Sequence, residues 1–65
     1  MKNEVLNEFP NGTKVCVYDT GRKRWYKGHV LWIHRINKDD EVDGWGAQLL
    51  NGNRGSWERP YIEAL

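Results

Sequence analysis

The residues with the clearest chemical potential sit in one short run of the chain. Arg22, Lys23 and Arg24 stand side by side, Trp25, Tyr26 and Lys27 follow directly, and Tyr18 lies just upstream. Lys and Arg contact phosphates and exposed aromatic rings stack on bases, so cations interleaved with rings have the composition of a nucleic-acid contact surface. Trp57 and Arg59 repeat the pairing of ring and cation near the other end. The candidate ligand-binding residues are therefore Tyr18, Arg22, Lys23, Arg24, Trp25, Tyr26, Lys27, Trp57 and Arg59. An ordinary solvated turn is the plainer reading of Arg22 to Arg24, and proximity to the rings and to Lys27 is what sets it apart.

Catalytic and metal-binding patterns are sparse by comparison. His29 and His34 have no nucleophile or orienting carboxylate placed beside them by the sequence, so both read as cross-strand surface residues. The acidic stretch Asp39, Asp40, Glu41, Asp43 lacks the spacing of a calcium loop and its ligating Glu, and reads as a solubilising loop. Cys16 is the single cysteine, which excludes an internal disulfide, and no thiol or imidazole set has zinc-finger spacing. We expect a non-enzyme without a cofactor.

Charge points to the kind of partner. The net charge is only +1, but residues 1–36 carry seven Lys or Arg against three carboxylates, and residues 37–65 carry three against six. One side of the fold should then suit an anionic partner, either nucleic acid (DNA or RNA) or an extended protein tail. The longest apolar run, Val30 to Ile33, is far short of a spanning helix, and Met1 to Phe9 lacks the apolar core of a secretion signal. A soluble intracellular chain, cytoplasmic or nuclear, with no membrane partner, is the expectation.

These residues need a scaffold, and 65 residues make one small domain without disulfide or metal support. Four tryptophans must supply much of its buried area, and Trp25 and Trp45 read as core or strand-pairing residues ahead of ligand platforms. Residues 1–10 read as a short N-terminal arm closed off by Pro10-Asn11-Gly12, and residues 11–65 as the folded unit. Thr13 to Tyr18 alternates, with Val15 and Val17 facing inward, and predicts a first strand. Asp19-Thr20-Gly21 predicts the turn that carries the basic run. Trp25 to Ile36 predicts a long second strand, bent at Gly28. After an acidic loop over Asn37 to Asp43, Trp45 to Leu50 and Ser56 to Arg59 predict two strands joined at Asn51-Gly52. Pro60 stops the ladder and Tyr61 to Leu65 turns once and returns as a last short strand. Five short strands and no amphipathic helix predict an all-β fold, a small five-stranded SH3-like barrel.

Gly12-x-x-Val15, Trp25-Tyr26, Val30 with Ile33, Asn51-Gly52 and Ile62-x-x-Leu65 together resemble the Tudor and chromo-barrel group over residues 9–65. The resemblance implies a Tudor-like, non-catalytic module that binds methylated lysine or arginine in an aromatic cage, or nucleic acid. In that alignment Asp19 and Leu49 stand where cage aromatics are usual, leaving Tyr18, Trp25 or Tyr26 as partial walls. The strand, basic turn and Trp25-x-x-Gly28 pattern is also similar to integrase C-terminal domains, a resemblance that implies a barrel holding DNA. Gly44-Trp45-x-Ala47, Gly55-Ser56, Pro60 and Ala64-Leu65 resemble type II dihydrofolate reductases, but Trp57-Glu58-Arg59 replaces that family's active segment. The expected function is recognition of nucleic acid or an extended protein segment by the basic turn and adjacent rings. One alternative is a structural or interaction protein, a small homo-oligomer or an inhibitor of a larger complex, with exposed rings as anchors; another is a type II dihydrofolate reductase-like scaffold without its active segment.

Overall fold

The computed structural model describes residues 5–65, so the first four positions of the expected arm lie outside the described residues. Five strands follow in chain order: β1 (Lys14–Asp19), β2 (Arg24–Ile36), β3 (Val42–Leu49), β4 (Arg54–Glu58) and β5 (Ile62–Ala64), with a single 3-10 turn at Arg59–Tyr61 before the last. They form one antiparallel sheet in the order β4-β3-β2-β1-β5. The all-β expectation holds, and the strand order fits an SH3-like fold. The only helical element of the described residues is far too short to cross a membrane.

Strand period decides which residues enter the core. On β1, Val15 and Val17 are fully buried, and across the β1–β2 ladder they face Gly28 and Tyr26. Val30, Val42, Trp45, Ala47, Leu49, Ile62 and Phe9 complete the buried cluster, with Tyr26 and Trp57 packed against it. A flat single sheet would leave this face to water. Instead Ile62, on β5 at one end of the strand order, and Trp57, on β4 at the other, contact the same cluster, so the sheet curls around its own side chains. Each such side chain contributes roughly 1.5–3 kcal/mol when fully buried.

Of the two tryptophans read as core or strand-pairing, Trp45 is the core residue, fully buried, and Trp25 the strand-pairing one: it pairs with Tyr18, one step out of phase with Val17 and Tyr26, and stays 45% exposed. Other expectations are corrected. The irregularities of β2 do not fall at Gly28. The register shifts fall between Val30 and Trp32 and again between Ile33 and Ile36, while Gly28 serves a close approach of backbones. A Cβ there would overlap the Gln48 carbonyl oxygen and stand 2.9 Å from the Leu49 Cα. The acidic loop is shorter than expected because β3 begins at Val42, whose N–H donates to the Leu6 carbonyl at 2.8 Å while the Leu6 N–H donates to Asp40 at 2.9 Å. Arg59 leaves β4 for the 3-10 turn, where Pro60 has no N–H to give a ladder.

Those Leu6 bonds show that the end of the arm is built into the fold. Phe9 is 2% exposed and packs on Trp45 with ring centroids 4.7 Å apart. Asn7 takes the Trp45 indole N–H on its Oδ1 at 2.8 Å and the Phe9 backbone N–H on the same oxygen at 3.1 Å. A buried indole donor without an acceptor is costly, and the segment before the first turn supplies the acceptor. We expect Asn7→Ala to destabilise the fold by about 1–3 kcal/mol, read as a lower urea midpoint with unchanged slope.

Candidate functional site

The basic turn between β1 and β2 is shaped by Asp19. Its Oδ1 accepts the N–H groups of Gly21 at 2.9 Å and Arg22 at 3.1 Å, and its carbonyl accepts the Lys23 N–H at 2.6 Å. An Asp at this position can hold the following amides, so the carboxylate nearest the cations is occupied with backbone. Lys23 closes the turn at φ 59°, a left-handed conformation that costs a β-carbon-bearing residue roughly 1–2 kcal/mol. The Arg22 guanidinium has its pKa raised above the ordinary value, first by the adjacent Tyr26 oxygen and then by Asp19.

Beyond the turn, the outward face of the sheet is ordered in rows across the ladders. Tyr18 opposes Trp25, Cys16 opposes Lys27, Lys14 opposes His29, and His29 continues through Gln48 to Arg54. The Tyr18 and Trp25 rings are 5.3 Å apart at their centroids and tilted by 59°, a stable aromatic geometry. Tyr26 has the opposite phase and packs against the core. His29 is a cross-strand residue, as expected.

The acidic residues near arginine are used elsewhere. Arg35 pairs with Asp43 and Glu58, each at 2.9 Å, and Arg59 pairs with Glu8 at 2.7 Å. Among the described residues, Lys14, Arg22, Lys23, Arg24, Lys27 and Arg54 enter no ion pair. The charge asymmetry of the sequence thus becomes a face of cations free of ion pairs among the described residues, on and beside the β1–β2 hairpin, with Asp19 at the turn and Glu63, opposite Cys16 at the β5 edge, as the carboxylates sharing it.

The nine candidate residues do not all converge. Tyr18, Arg22, Lys23, Arg24, Trp25, Tyr26 and Lys27 share the hairpin. Trp57 pairs with Trp45 and is half-buried, and it lines a cleft of about 430 Å³ with Thr20 of the turn, His34 of β2 and Tyr61. Arg59 is committed to structure: it holds Glu8 through two hydrogen bonds of 2.7 and 3.0 Å, donates to the Ile62 carbonyl at 2.8 Å and lies 5.2 Å from the Phe9 ring centroid. Lys14 and Arg54 were not among the candidates. They join the face through pairings between distant parts of the chain, and no local pattern marks them. No set of three or more metal-ligating side chains gathers among the described residues.

Two outcomes follow from this geometry. Replacing Lys23 by Gly relieves the left-handed backbone, and we expect a gain of a few tenths to about 1 kcal/mol in chemical denaturation, the greater freedom of unfolded glycine offsetting part of the relief. The Glu8 carboxyl is held below its ordinary pKa, first by the Arg59 hydrogen bond, with burial opposing and the Arg59 charge adding. A lowered folded-state pKa gives stability that is complete above the unfolded value and is lost as pH falls through the folded one. Both partners are about half exposed, which limits the pair to no more than about 1 kcal/mol. Denaturation of wild type and Glu8→Gln across acid pH should show a small stability gap at neutrality that closes as Glu8 protonates.

Compared with protein-family models, with curated proteins and with solved structures, the chain matches none.

Proposed function

We propose that the curled sheet is a Tudor-like, SH3-like barrel that acts as a non-catalytic binding module for single-stranded nucleic acid. The observation that carries this reading is the pairing of half-buried Tyr18 with exposed Trp25, set among cations that enter no ion pair among the described residues. Phosphates are drawn to Arg22, Lys23, Arg24 and Lys27, and an unstacked base finds a ring face at Trp25. A duplex would keep its bases from that ring. Tyr26 lies out of phase with Tyr18 and Trp25, so the hairpin aromatics do not surround one cation as a methyl-lysine cage would.

The test is binding of short single-stranded oligonucleotides followed by fluorescence anisotropy over a salt series. Replacing Arg22, Lys23 and Arg24 by Ala should weaken binding and flatten its dependence on salt. Each lost phosphate contact lowers the slope of log K against log salt by about 0.7 for single strands, and three lower it by about 2. An unchanged slope in the triple variant, or a parent chain that does not bind at low salt, would remove the proposal.

A further inference from the structure

β2 carries a second exposed indole. Trp32 is 41% exposed, and the register shift after Val30 sets it opposite Gly46, on the outward face with Gln48 and Ser56. A Cβ at Gly46 would fall among the Cδ2, Cε2 and Cζ2 atoms of the Trp32 ring. One side of the indole therefore lies on the β3 backbone, where only glycine leaves room for it, and the other is open to solvent. A ring held in this way has little rotamer freedom left to lose on stacking.

The surroundings favour an anionic strand carrying a planar, uncharged ring. The row Lys14, His29, Gln48, Arg54 lies between Trp32 and the Lys27 and Trp25 end of β2. The two indoles are roughly 23 Å apart along the strand at about 3.3 Å per residue. Beside Trp32 lies a cleft of about 250 Å³ lined by Val30, Leu31, Ile33, Asn7 and Asn11, with no charged residue. That is below the roughly 300–1,000 Å³ of drug-sized ligand sites, and it suits a single ring. The Asn7 amide is fixed in orientation, because its Oδ1 accepts from both Trp45 and Phe9. Its Nδ2 is left as the donor of that side chain.

We infer that Trp32 is a stacking platform for one nucleobase of a bound single strand, and that the Asn7 Nδ2 donates to a carbonyl oxygen on that base. The inference rests on the nucleic-acid reading of the hairpin and adds a base preference to it: thymine or uracil is taken ahead of adenine, which has no carbonyl to offer.

The experiment compares oligothymidylate and oligoadenylate binding to the full chain and to Trp32→Ala and Trp32→Phe, with a parallel NMR titration of the parent observing the indole N–H signals. Loss of a stacking ring weakens single-strand binding while leaving phosphate contacts in place, so Trp32→Ala should bind oligothymidylate about tenfold more weakly with its salt slope intact. Trp32→Phe should lose less, the parent should prefer thymidylate, and the Trp32 signal should shift on titration. Parental affinity in a folded Trp32→Ala variant overturns the platform and leaves the hairpin reading standing. Should that variant not fold, a Trp32 signal that stays in place while Trp25 shifts overturns it equally. Equal or tighter binding of oligoadenylate overturns the role given to Asn7, and a parent that binds neither strand overturns both proposals.

Discussion

A single five-stranded sheet has only one side on which to hide apolar surface, and in this chain that side is organised around Trp45. The indole is the largest fully buried side chain, and it has a polar edge that must find a partner inside the fold. Asn7 satisfies it, Phe9 packs on it, and β3, the strand that carries it, pairs with both β2 and β4. The curl of the sheet follows from the need to cover this ring and its neighbours without a second layer. Trp25 and Trp32 are exposed because strand alternation and register set them on the other, convex face.

The same constraint partitions the charges. Arg59 is drawn into the closing contacts of the fold, where its guanidinium meets Glu8, the Ile62 carbonyl and the Phe9 ring. Arg35 is held between Asp43 and Glu58 on neighbouring strands, which lowers the Asp43 pKa chiefly through the hydrogen bond it receives. With those carboxylates engaged elsewhere, Asp19 is the carboxylate left at the turn, and the cations of the β1–β2 hairpin outnumber it. A chain of almost no net charge can thereby present a strongly signed surface.

Much of this was legible along the chain where the signal is local. The alternation of Val15 and Val17 gave the inward face of β1, and Pro60 placed the stop after β4. Asn51-Gly52 marks the β3–β4 turn, although Gly52 alone has positive φ, at 94°, so the turn is not the two-residue form in which both residues would need it. Features that depend on register were not legible. Trp25 and Trp45 are both tryptophans flanked by strand formers, and only the pairing of Val17 with Tyr26 puts one outside while the fold closes over the other. The irregularities of β2 fall where its pairing with β3 shifts, between Val30 and Ile36, and not at Gly28. Trp32 becomes visible as a platform only when Gly46 is known to lie opposite. Arg59 looked free because its partner is 51 positions away.

That separation has a kinetic side. The hydrogen bond from Trp45 to Asn7 spans 38 positions and the clasp from Arg59 to Glu8 spans 51, so the contacts that complete the interior are among the most distant in the chain. Folds dominated by such pairings have high relative contact order and form in milliseconds to seconds, rather than the microseconds open to chains built of local contacts. On a ribosome, the hairpin with its basic turn would emerge and could pair early, yet Phe9 and Trp45 would stay unsealed until residue 59 was free to reach back. During that interval the cationic hairpin would be present without the packed interior that holds its rings in place.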